Sequence, residues 1–193
     1  MTPRTRLLVS LTILLIGLGA LAVGLFSLVP VGGEPRSSLI GGPFSLTAQD
    51  GRSVSDKDVK GNPFLVFFGY THCPDVCPTA LFEISEIFKA LGPNQKISAL
   101  FITIDPERDT PAVLKEYLSS FDSRIIGLSG TPAQIESVEK AYRVYAKKVG
   151  TGADYSMDHT AIIYLMDKDG GFINALNLQR PQQETVRELK KYL

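Results

Sequence analysis

An α/β domain behind a single membrane-spanning helix is what this sequence predicts, and three observations predict it. An uncharged apolar run fills residues 7–29. Beyond residue 43, short apolar runs of strand length alternate with segments of helical periodicity, the pattern of a sheet covered by helices. The only two cysteines, Cys73 and Cys77, fall between the first long apolar strand and its following helix, which is where the thioredoxin fold carries its cysteine pair.

The apolar run comes first. Arg4 and Arg6 precede Leu7 to Val29, 23 residues without a charge. A spanning helix needs about 20 such residues, whereas a signal-peptide core has about 7–15. The run is therefore expected to persist as an anchor, although Ala20-Leu21-Ala22 has the small-residue pattern of a cleavage site. Its immediate N-terminal flank is basic, whereas the first basic residue after it is Arg36, which puts Met1 in the cytoplasm and everything after Pro30 outside. Residues 30–43 are rich in Gly, Pro and Ser and read as a linker. The expected organisation is an anchor at 1–29, a linker at 30–43 and one domain at 44–193. Twenty Lys and Arg balance twenty Asp and Glu. The charges are dispersed, so a nucleic-acid footprint is excluded.

Within the domain, Phe44 to Ala48 alternates apolar and polar before the turn Gln49-Asp50-Gly51-Arg52, which predicts a hairpin. Phe64 to Gly69 is continuously apolar, as in a strand buried on both faces. Leu81, Ile84, Ile87, Phe88 and Leu91 give the next segment, Thr79 to Leu91, a helical face that Gly92-Pro93 ends. Ile97 to Ile104 predicts a second central strand. Thr110 as N-cap and Pro111 at the first helical position open a helix to about Phe121. A short strand follows at Ile125 to Leu128, then a helix from Thr131-Pro132 to about Arg143. Gly150 to Met157 reads as a loop, His159 to Met166 as a strand, and Phe172 to Leu176 as its hairpin partner. Gln182 to Tyr192 closes the chain as a helix.

Two thiols and an imidazole can form a redox pair, a soft-metal site, or both. A helix N-terminus favours thiolate over thiol, and thiolate is both nucleophile and metal ligand. Thiol oxidoreductases on this fold carry two residues between their cysteines; three stand between Cys73 and Cys77, which leaves room for an ion. His72 adjoins Cys73 and is expected to point away from the sulfurs. His159 is the histidine free to reach them, with Asp158 beside it as an orienting group. A Cys₂His set suits copper, Cu(I) or Cu(II), better than structural zinc, which takes four protein ligands. The disulfide alternative stays open, because an exported cysteine pair tends to oxidise unless it is reduced or metal-bound. Asp105 to Pro111 is acidic, but a turn and a helix cap account for it.

Three blocks carry a resemblance. Gly-Tyr-Thr-His-Cys-Pro-Asp-Val-Cys-Pro-Thr at 69–79, Ile-Asp-Pro-Glu-Arg-Asp-Thr-Pro at 104–111 and Asp-Tyr-Ser-Met-Asp-His-Thr at 154–160 resemble the signature blocks of the Sco/SenC family in composition, order and spacing. The resemblance implies a thioredoxin-like domain that binds one copper ion and serves assembly of the binuclear copper centre of cytochrome c oxidase. By position it implies Cys73, Cys77 and His159 as the copper ligands, and the copper-bearing oxidase subunit as recipient. It also implies a periplasmic copper chaperone as possible donor, and a dithiol that can reduce the target's cysteines. The short basic N-terminus followed at once by the anchor suggests a bacterial inner-membrane protein with its domain in the periplasm. The alternatives are a membrane-anchored thiol–disulfide oxidoreductase, with Cys73 attacking and Cys77 resolving, or a redox or copper sensor.

Overall fold

The computed structural model describes residues 16–19, 40–152 and 154–193. Apart from the helical residues 16–19, the expected anchor lies outside the described residues, and among these no helix is long and apolar enough to cross a membrane. The chain divides into a unit at 1–36 and a unit at 37–193, and the latter is described below.

Among the described residues, nine strands and four helices follow Ile40. In chain order they are β1 (Ser45–Ala48), β2 (Ser53–Ser55), β3 (Phe64–Gly69), α1 (Val76–Leu91), β4 (Ser98–Thr103), α2 (Pro111–Leu118), β5 (Ile125–Ser129) and α3 (Pro132–Tyr142). After these come β6 (Ala146–Val149), β7 (Ser156–His159), β8 (Ile163–Met166), β9 (Phe172–Leu176) and α4 (Gln182–Leu189). Seven strands form one mixed sheet in the order β2-β1-β5-β4-β3-β8-β9, and β6 pairs only with β7. The centre is parallel, with Phe64↔Ser98 through Gly69↔Thr103 joining β3 to β4, and Ala99↔Ile125 through Ile102↔Leu128 joining β4 to β5.

Apolar continuity explains that centre. All six residues of β3 are buried, as are all but the first of β4. Both strands lack the polar alternation a solvated face would need, so both faces of the sheet must be covered. Helix α1 contributes Leu81, Ile84 and Phe88, each fully buried, at the spacing of one helical stripe. The helix starts obey local chemistry. Thr110 and Thr131 accept hydrogen bonds from Val113 N and Gln134 N, each with a proline just inside, and Thr131 with Gln134 completes a capping box.

Three expectations are corrected. Helix α1 begins at Val76 rather than Thr79, so Cys77 lies in its first turn while Cys73 precedes the N-cap Asp75. The strand expected over His159 to Met166 is two strands, β7 and β8, with Thr160 to Ile162 between them. The loop expected at Gly150 to Met157 is in part the end of a hairpin, β6–β7, that stands outside the main sheet. The last two corrections move His159 from the start of a core strand to the end of a peripheral one.

Candidate metal centre

Strands β3, β4 and β5 end together at Gly69, Thr103 and Ser129, and the loops leaving these carboxyl ends build the site, as is general for α/β sheets. Asp109 organises them. Its carboxylate is completely buried and accepts hydrogen bonds from Thr71 N (3.0 Å), Thr71 Oγ1 (2.6 Å) and Thr103 Oγ1 (2.6 Å). Its carbonyl accepts one from Ser129 Oγ (2.7 Å). Three donors replace the water this carboxylate has lost. They also fix Thr71, two residues ahead of Cys73.

Cys73 N–H donates to the Tyr70 carbonyl (3.2 Å), turning the chain towards α1. The Cys77 backbone N–H, one of the amides the first turn of α1 leaves unpaired, points at Cys73 Sγ (3.4 Å). Asp75 makes no side-chain cap hydrogen bond. The sulfur of Cys73 thus occupies a position where an anion is favoured by the helix terminus. Cys77 is fully buried, and burial pushes its thiol well above the ordinary range. A thiol so placed yields its proton when a cation takes its place, since a metal ion is the largest local charge in such a site.

His159 meets this pair. Its Nε2 is 3.8 Å from Cys77 Sγ, and the donor atoms of Cys73, Cys77 and His159 all lie within 4.8 Å of one another. Its Nδ1 is 3.1 Å from the Thr160 carbonyl. A carbonyl only accepts, so Nδ1 bears the proton in that contact and Nε2 presents its lone pair to the sulfurs. The orienting role expected of Asp158 falls to Thr160. Asp158 is exposed, opposite Lys147 in the hairpin register, and successive strand residues face opposite sides. Tyr70 meets the imidazole edge-on at 5.9 Å. His72 is exposed, with Nδ1 3.1 Å from Thr71 Oγ1, and stays outside the donor set.

The donor set fits a soft or borderline ion. Metal–sulfur and metal–imidazole bonds of about 2.3 and 2.0 Å hold trigonal donors roughly 3.5–4 Å apart, and the Cys77 Sγ to His159 Nε2 distance of 3.8 Å falls in that range. Two sulfurs and one nitrogen form the only cluster of three such ligands among the described residues. That composition favours copper over a four-ligand zinc site.

The acidic segment before α2 carries more than the expected turn and cap. Asp105 is 3% exposed and bonds Arg108 Nε (2.5 Å) and Tyr155 Oη (2.6 Å). Burial, with the Asp105 carboxylate adding, pushes the Tyr155 phenol up to about 12. The burial of Asp105, Asp109 and Tyr155 has no signal in the sequence, because nothing in their spacing separates a buried acidic turn from a solvated one.

A mixed α/β fold with its cysteines at this strand end belongs to the thioredoxin-like class. Within that class, the SCO1/SenC family model matches residues 32–193, and the chain belongs to that family. The copper-bound structure of Bradyrhizobium japonicum ScoI is 62% identical and superposes with a TM-score of 0.77, covering 80% of this chain and 99% of that one. Copper-bound yeast Sco1 is 38% identical, with a TM-score of 0.73, covering 79% of this chain and 87% of that one. Among curated relatives, the SCO2-like protein of Rickettsia felis is 40% identical with 92% of each chain covered. The mitochondrial SCO2 of Saccharomyces cerevisiae is 41% identical over 81% of this chain, which spans about half of that protein, 54% of its length.

Proposed function

We propose that this protein takes up one copper ion on Cys73, Cys77 and His159 and delivers it to the copper-bearing subunit of cytochrome c oxidase during assembly of the binuclear centre. The observation that carries this reading is the convergence of two sulfurs and one imidazole nitrogen within 4.8 Å, in a family whose 62% identical member was solved with copper bound. Residues 1–29 anchor it in a bacterial inner membrane, with the domain in the periplasm. A periplasmic copper chaperone supplies the ion.

The chemistry follows from the donor set. Three protein ligands leave the ion accessible to a recipient's thiolates, so copper leaves by exchange of one sulfur ligand for another. Departure leaves a dithiol. Both cysteines are free, and their oxidation to a disulfide would remove two of the three ligands, so redox state gates reloading. The same dithiol supports the second reading, reduction of the recipient's cysteines: Cys73, facing a free helix amide, would attack and Cys77 would resolve.

Anaerobic copper titration of the reduced full-length chain, with His159→Ala alongside, tests the proposal. One tight equivalent in the parent, weakened at least tenfold by the substitution, is the expected result. Binding indifferent to His159 leaves thiol–disulfide exchange as the function.

A further inference from the structure

His159 owes its place to a hairpin that the sheet does not hold. Strand β7 pairs only with β6, Ala146↔His159 through Val149↔Ser156. At one end the hairpin is tied at its base, where Thr160 N donates to the Tyr145 carbonyl (2.9 Å) and Tyr145 N to Thr160 Oγ1 (3.1 Å). Those bonds join the two arms of the hairpin to each other, and Ala146, Met157 and an exposed Lys148–Glu107 pair (3.2 Å) are the hairpin's further contacts with the rest of the domain.

Tyr155, the residue before β7, adds the most heavily bonded of these contacts. Its ring lies between two cations, with the Arg108 guanidinium carbon 3.5 Å and Lys148 Nζ 3.6 Å from the ring centre. Its hydroxyl donates to Asp105 (2.6 Å), and its carbonyl accepts from Arg108 Nη1 (3.0 Å). Asp105 and Arg108 are themselves paired (2.5 Å) on the segment between β4 and α2, anchored by the same loop that holds Asp109. Tyr155 is buried although it belongs to a peripheral element. The contact with the largely covered Arg108 guanidinium and the hydrogen bond to the Asp105 carboxylate are the stronger of these interactions, while the exposed Lys148 adds less. His159 stands four residue steps beyond Tyr155, about 13 Å of chain at 3.3 Å per residue. None of the three latch residues is in the donor set.

We propose that Tyr155, Asp105 and Arg108 form a latch that sets how long His159 stays over the cysteine pair, making them positioning residues for the third copper ligand. The inference rests on the copper reading and deepens it: the dithiol is built on the sheet and α1, whereas the imidazole is mounted on an arm, so opening the latch withdraws one ligand without disturbing the other two. Release of the ion then begins with the histidine.

The test is a double-mutant cycle on the reduced full-length chain, reading copper affinity by competition with a chromophoric Cu(I) chelator. Tyr155→Phe, which deletes one hydrogen bond and keeps the ring between its cations, is expected to weaken binding about fivefold, and Tyr155→Ala to weaken it further. In the His159→Ala background both substitutions should have no effect, because the ligand they position is gone. Equal weakening in both backgrounds, or none in either, overturns the latch. Amide hydrogen exchange of the metal-free protein supplies an arm independent of copper: Tyr155→Phe should speed exchange across 146–159 and leave β3 and β4 unchanged. Unchanged exchange in the hairpin also overturns the latch, whereas a His159→Ala protein that binds copper like the parent overturns the three-ligand reading alone. Should Tyr155→Ala not fold, Tyr155→Phe and Arg108→Lys carry both arms.

Discussion

At Gly69 a methyl group has nowhere to go. A Cβ there would stand 2.7 Å from Cys77 Sγ and 2.7 Å from Phe101 Cε2, both in buried side chains. The need is for close approach, since the sulfur packs directly on the strand's last residue. Gly69→Ala is expected to cost about 1–3 kcal/mol by overpacking and to weaken copper binding by displacing Cys77, with denaturant unfolding and chelator competition as the two readouts. Unchanged values in both would mean that the strand end and α1 part without cost. The sequence shows a glycine between a strand and a cysteine loop, where punctuation is its ordinary meaning; the sulfur against it comes from the packing of α1. Cys73, Cys77 and His159 were legible because thiols and imidazoles are scarce in this chain and a soft metal has few alternatives. Asp109 was illegible for the opposite reason. Acidic residues are common, and only the fold decides which one loses its water.

Elements read well where the pattern was strong. The span of β3 agrees residue for residue with the apolar run Phe64 to Gly69, and the Thr-Pro starts of α2 and α3 fall where capping chemistry puts them. Strand β6 gave no signal. Ala146-Lys147-Lys148-Val149 is largely exposed and lacks apolar alternation, so its pairing is dictated by β7 and by Tyr155. Helix α3 carries its own pH response. Glu139 is half-buried, and burial, with the nearby charge of Glu136 adding and Lys140 opposing, raises its carboxyl to about 7. A folded value above the ordinary one, about 4.3, means that the folded state binds this proton more tightly than the unfolded chain. The contribution to stability is therefore whole below about pH 4.3 and is lost as pH rises through about 7. Glu139→Gln escapes that loss. Its stability relative to the parent should increase from pH 5 to pH 8 in paired thermal melts, and a difference constant across that range would show that the carboxyl titrates normally.

For the whole molecule, the site joins parts of the chain that meet only when the unit at 37–193 has folded. Cys77 and His159 are 82 positions apart, and Thr71 reaches Asp109 across 38. An unfolded chain holds no comparable set of donors, so a ligand of the folded site adds its binding energy to folding. At a free copper concentration 100 times the dissociation constant the gain is about 2.7 kcal/mol, which for a domain of this size raises the melting temperature by roughly 5–10 °C. The shift should appear in the reduced protein, shrink in His159→Ala, and vanish once Cys73 and Cys77 are oxidised to a disulfide. Oxidation also constrains the unfolded chain, but closing so short a loop adds little, so the comparison isolates the metal. Equal copper-induced shifts in reduced and oxidised protein would place the ion elsewhere and remove the dithiol from its binding. A shift confined to the reduced state would make copper occupancy and thiol redox state mutually exclusive conditions of one site, the property a protein needs if reduction is to precede every loading.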